Sequence, residues 1–331
     1  RRTPGRSGSR ERVTASHVLL RGDGPDATRL WLAGGDGWGG TAQLAVTGAQ
    51  TVTAETPLSA DADRWDTVLH VADASAFEVG DDLLVGQTIT GAFITEHGMD
   101  GVWGPFNDTW QPFFRRTVVA VDADALPPTV TVDVPLRYPQ TVANGASVRR
   151  ITGLLREVGV ESLGLANGAT WEAAWSRNQV HVLTLNHVVD AWVRDVASFA
   201  SPGAPAADSG ADGAGAHLQS GGIRVNASHR VTVADCAMGY AQHRGGGGNG
   251  YLFEVRTSSE VLTRDCQGTA GRHNFIQNWG FGTTGCVWLR VHSDGGKAYF
   301  SPDSSFATLG LSETHHSLAT ANLVDQSWFG D

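Results

Sequence analysis

The stretch from Gly268 to Cys286, GTAGRHNFIQNWGFGTTGC, sets Arg272 and His273 side by side among glycines, amides and aromatics. An arginine beside a histidine joins a permanent cation to a side chain whose ordinary pKa, about 6.5, lets it take a proton near neutral pH. The pair suits proton removal from a carbon next to a carboxylate: the guanidinium neutralises the carboxylate, and the imidazole takes the proton. On this reading Arg272 and His273 are catalytic, and Tyr251 or His243 returns a proton to the leaving oxygen.

Cationic residues recur at similar offsets. His243 and Arg244 lie seven and eight residues after Cys236, Arg272 and His273 six and seven after Cys266, and Lys297 six after Val291. If the intervening turns match, these side chains stack about 4.8 Å apart and form a stripe suited to an extended polyanion. Nine of the twelve histidines follow residue 150, among them His315 and His316. Arg244, Lys297, Glu254, His315 and His316 are therefore expected to contact the ligand. Trp110 joins them from the aromatic loop Gly101 to Phe114, although aromatics in such a loop also build a core of their own.

Hydrolysis of a glycosidic bond is the rival chemistry, and it needs two carboxyl groups flanking the bond. Asp235, Asp265, Glu254, Asp294, Asp303 and Glu313 are available, with Glu254 the first to test. Asp195, Asp235 and Asp265, however, occupy one recurring position and suit a structural ladder. Gly245 to Gly250 lacks the Lys-Ser/Thr of a nucleotide loop and offers close backbone approach beside Arg244.

These residues must be held by short strands and tight turns, because the 331-residue chain has 42 glycines and only 18% charged residues. Hydrophobic content of 41% is enough for a substantial core. A net charge of -10 argues against whole-surface binding to nucleic acid. No apolar run is long enough for a membrane helix, and the start, RRTPGRSGSRERV, lacks both a Met and the apolar core of a signal peptide. Cys236, Cys266 and Cys286 have no metal or disulfide spacing and read as buried thiols.

The segments 191–196, 231–236, 261–266 and 286–291 share one apolar pattern at unequal spacing. That is the mark of structural coils stacked with loops of variable length. Val196, Cys236, Cys266 and Val291 then form an internal column. The expected fold is all-β, a parallel β-helix, with a β-sandwich as the competing arrangement. Residues 1–64 carry N-terminal rungs, 65–150 an inserted β module, and 151–331 the rungs with the site. Residues 201–216 form a low-complexity loop, whose Asp208 and Asp212 serve to solvate it.

SHVLLRGDGPDATRLWL from Ser16, VGVESLGL from Val158, NHVVDAWVRDV from Asn186, and the succession GYLFEV, VLTRDC and GRHNF resemble the pectate-lyase-like right-handed β-helix superfamily. The resemblance implies a right-handed solenoid acting on a uronate-containing polysaccharide by β-elimination, outside the cytoplasm, in the secreted or periplasmic space. Some members of that superfamily use calcium. No compact carboxylate cluster stands out here, so no cofactor is expected, and the paired-aspartate motif of its hydrolases is not recognisable. The expected partner is the polysaccharide, with neither nucleic acid nor membrane, and the expected state is a monomer. A noncatalytic carbohydrate-binding or adhesin-like β-helix remains the reading from a different class.

Overall fold

A computed structural model describes residues 5–7, 10–33, 42–202, 204, 215–299, 301 and 310–330. Asp208, Asp212 and Asp303 lie outside the described residues. The chain is all-β, built on parallel sheets. One parallel ladder runs through Glu11–Val13, Ala42–Thr47, His181–Asn186, Gly221–Asn226, Tyr251–Arg256, His273–Gly280 and Glu313–Ser317. A second runs through Val188–Ser198, His229–Ala234, Ser259–Arg264, Val287–Leu289 and Leu323–Asp325. Its continuation on the far side of a corner is Ala237–Gly239, Gln267–Thr269, His292–Asp294 and Trp328–Gly330. The coils after Val188–Ser198, a single strand that pairs on both sides of the corner, supply three short strands each, and strands pair with their counterparts in the next coil.

The corners explain the recurring aspartates. Asp195, Asp235 and Asp265 have φ of 54°, 55° and 54°, and Arg290 repeats the position at 51°. Aspartate tolerates this left-handed conformation better than most residues because its short polar side chain bonds locally. Asp265 also accepts from Arg290 at 2.6 and 2.8 Å, tying one coil to the next. Just past each corner the chain turns inward, and Val196, Cys236, Cys266 and Val291 lie at 0–2% exposure in one core. Burial pushes the Cys286 thiol up to about 12, so it behaves as a small apolar group.

The core is a stack of side chains from successive coils: Leu183, Ile223, Phe253 and Phe275 from the first ladder, and Val193, Val233 and Val261 from the second. Phe253 and Phe275 stack with ring centroids 4.8 Å apart and planes 5° off parallel. Their spacing is that of adjacent strands, so the backbone ladder imposes the ring stack.

Between coils sits an antiparallel sheet of Thr51–Pro57, Ser147–Thr152, Asp82–Ile89, Thr109–Asp122, Thr129–Val132 and Val68–His70. It begins at Thr51, ahead of residue 65, because Thr51–Pro57 pairs with Ser147–Thr152. Ala42–Thr47 and His181–Asn186 are nonetheless direct neighbours, so the solenoid closes across the excursion. The module docks through Arg115, whose Nε donates to Thr257 O at 3.0 Å and whose Nη1 donates to Gln50 Oε1 at 2.8 Å. Trp103, Phe113 and Phe114 are buried in the module's own core, which also takes in Phe281 from the solenoid.

Phe275→Ala removes a ring with 0% exposure from the centre of the stack. Its expected cost is about 3–5 kcal/mol, read as a lower urea midpoint with an unchanged slope.

Candidate functional site

A groove of about 330 Å³ crosses the first ladder near its C-terminal coils. Tyr251, Arg256, Arg272, Asn278, Trp279 and His315 line it, with His316, Gln179, Gly247 and Gly248 at its rim. The ladder dictates this company. Tyr251 pairs with His273, Arg256 with Asn278, and Asn278 with His315, so consecutive coils present their strand ends along one line. The glycine run then brings a loop close to the next coil. Gly250 has φ 78°, and a Cβ there would stand 2.8 Å from the Cβ of Arg272. A side chain at that position would displace Arg272 from the groove.

Arg272 is held by Nη1 donating to Gly245 O at 2.8 Å, while its Nε is buried with no partner. Burial pushes the Tyr251 phenol up to about 12, so it keeps its proton at neutral pH. His315 lines the groove, and its Nδ1 is bonded to the Glu313 carboxylate. A carboxylate can only accept, so Nδ1 carries the proton and Nε2 is the basic nitrogen.

His273 lies under the groove, not in its wall. It is 3% exposed, and its Nδ1 stands 2.5 Å from Leu311 O. Its ring sits 5.1 Å from that of Tyr251 and 5.7 Å from that of His315. Burial pushes His273 down to about 4.

The equal-offset stripe of His243, Arg244, Arg272, His273 and Lys297 does not form. His273 pairs with Tyr251 and the Arg272 N–H bonds Gly250 O, because Gly245 to Gly250 lengthen one coil and shift the alignment. His243 instead stacks on Trp175 at 4.1 Å, and Arg244, 1% exposed, lies over Tyr299 at 5.8 Å. Lys297 is exposed outside the groove lining. Trp110 stays on the module, where the Arg149 guanidinium covers its ring at 3.7 Å.

Glu254 lies beneath the groove at 3% exposure. His181 Nε2 is 2.8 Å from its carboxylate, and Asn278 Nδ2 donates to it at 2.6 Å. Burial favours the neutral acid, but these contacts and the Arg224 charge outweigh it and hold Glu254 below the usual carboxylate range. Glu254 therefore anchors Asn278 from below. Among the described residues that line the groove there is no Asp or Glu.

Sequence reasoning missed Arg256, Asn278 and Trp279. The signal was the strand-end column Asn186, Asn226, Arg256, Asn278 and His315, which strand register makes visible and counting from the cysteines does not.

No family model matches the chain, and no curated protein matches it. Several solved structures are similar to it. The tailspike gp49 of Pseudomonas phage LKA1 is 11% identical, with a TM-score of 0.37, over 85% of this chain and 48% of that one. The tailspike gp61 of Pseudomonas phage phi297 is 14% identical, with a TM-score of 0.38, over 89% and 55%. The Gp54 tailspike of Acinetobacter baumannii bacteriophage AP22, solved in complex with A. baumannii capsular saccharide, is 10% identical, with a TM-score of 0.33, over 88% and 53%. This chain thus spans about half the length of each.

His243, which is buried, and His217, which is half-buried, are expected to make the protein acid-labile. Burial pushes both His217 and His243 down to about 4, with Arg272 adding to the effect on His243. The folded state then binds fewer protons than the unfolded one below pH 6.5, so stability falls as pH falls from about 6.5 to 4. At pH 5 each costs on the order of 2 kcal/mol relative to pH 7. Urea midpoints at the two pH values check this, and His243→Gln should recover part of the loss.

Proposed function

We propose that the groove binds an acidic, uronate-containing polysaccharide and cleaves it by β-elimination. The observation that carries this reading is the joint placement of two guanidinium groups, Arg272 and Arg256, with a proton-retaining phenol in one open groove. Arg272 neutralises the uronate carboxylate, which acidifies the neighbouring C–H. His315 Nε2, oriented by Glu313 at Nδ1, takes that proton. The C–H electron pair becomes the new carbon–carbon double bond, the glycosidic C–O bond breaks, and Tyr251 protonates the departing oxygen. Trp279 offers a face for the sugar ring.

His315 replaces His273 as the base because His315, like Tyr251, lines the groove and His273 does not. Hydrolysis is disfavoured by the lack of any carboxylate among the described groove residues and by the burial of Glu254. The sequence resemblance to the pectate-lyase-like superfamily supports the same chemistry, and a secreted or periplasmic setting accords with such a substrate.

A panel of uronate polymers, followed by the ultraviolet absorbance of unsaturated ends, tests the proposal. Arg272→Ala is expected to lower kcat/KM by about 100-fold or more, and Tyr251→Phe and His315→Ala by a similar factor. Reducing ends without unsaturation would show hydrolysis instead. Binding without cleavage would leave a carbohydrate-binding module, and elimination that survives both Arg272→Ala and His315→Ala would overturn the site.

A further inference from the structure

Behind His315, which lines the groove, three donor atoms converge. One atom each from His273, Glu313 and His315 lie within 4.8 Å of one another. The Leu311 carbonyl can only accept, so the 2.5 Å contact fixes the proton of His273 on Nδ1 and leaves a lone pair on Nε2. That nitrogen is buried and has no hydrogen-bond partner. It faces Glu313 Oε1 at 3.5 Å, so two electron-rich atoms confront each other with no hydrogen between them. The same carboxylate accepts from His315 Nδ1, and that proton is already used. A buried acceptor facing an acceptor is costly unless a cation lies between them. A second proton on His273 would set an imidazolium in a 3%-exposed position.

A metal ion answers the geometry better. Two ligands of a tetrahedral zinc ion, each about 2.0–2.1 Å from the metal, stand about 3.4 Å apart, close to the His273–Glu313 separation. Two imidazole nitrogens and one carboxylate oxygen suit a borderline divalent transition ion. Calcium, which takes six to eight oxygens, is poorly matched. We propose that His273 Nε2, Glu313 and His315 Nδ1 form a binding site for one divalent ion of the zinc class, which enters as the His315 proton moves from Nδ1 to Nε2. Three protein ligands leave a position open for water or a ligand oxygen on the groove side, which His315 lines. On the reading of His315 as base, which this consequence alone rests on, a loaded site takes the base out of action.

The test begins with chelator-treated protein titrated with Zn2+ by calorimetry, and with Co2+ followed by its visible spectrum. One equivalent is expected, with Ca2+ unable to compete and a rise in melting temperature on loading. Glu313→Gln and His315→Ala, both at partly exposed positions, should weaken binding by more than the about 10–100-fold cost of losing an outer partner. His273→Ala should do the same if its melting curve shows it folded. Failure of the wild type to bind stoichiometrically, or wild-type affinity in folded Glu313→Gln and His315→Ala, overturns the site. Zinc that binds and stops uronate cleavage, reversibly with chelator, supports both the site and the base. Zinc that binds without slowing cleavage upholds the metal site and overturns His315 as base. If no uronate polymer is cleaved, the titration still decides the metal site.

Discussion

Parallel strand register is the constraint on which the rest of this molecule depends. In the first ladder Tyr251 stands against His273 and Asn278 against His315, each about one strand spacing from its neighbour. A slip of one residue would turn Phe253 and Phe275 out of the core and send Arg256 and Asn278 inward. The groove and the apolar stack are thus two faces of one alignment. The energy that fixes the alignment is the burial of the core column, at about 1.5–3 kcal/mol for each fully buried large apolar side chain. The groove residues inherit their positions from it.

The polar groups buried under the groove work within that frame. Glu254, His181 and Asn278 form a chain of contacts beneath the surface, and its effect is to hold Asn278 rather than to expose a carboxylate. The antiparallel module adds a second support. Phe106 meets Trp279 at 5.0 Å, Trp103 meets Phe281 at 5.0 Å, and Trp103 Nε1 donates to His316 O at 3.2 Å. Residues more than 150 positions apart in sequence therefore share responsibility for one wall of the groove.

Much of the fold could be read from the residues. The repeated apolar pattern marks the coils, the aspartate before its end marks a left-handed corner, and the cysteines fall in the buried column. The groove could be read only in part. Arg272, Tyr251 and His315 belong to it, but counting forward from Cys236 and Cys266 misplaces His243 and Arg244. After Cys236 the strand Ala237–Gly239 is followed by a long loop before Tyr251, whereas after Cys266 the strand Gln267–Thr269 leads by a short turn to His273. Offsets along a chain measure contour length, while register is set by hydrogen bonding. Glu254 misled for a different reason, because a carboxylate's burial and partners depend on which coil covers it.

The loops that differ most between coils leave from one corner. They follow Ala237–Gly239, Gln267–Thr269 and His292–Asp294, and each returns to the start of the next first-ladder strand. Length added at that corner changes the shape of the rim while the paired strands keep their register. The scaffold and the rim of the groove can thus vary separately. Lengthening or trimming one such loop would reshape the rim while the stacked interior kept its place.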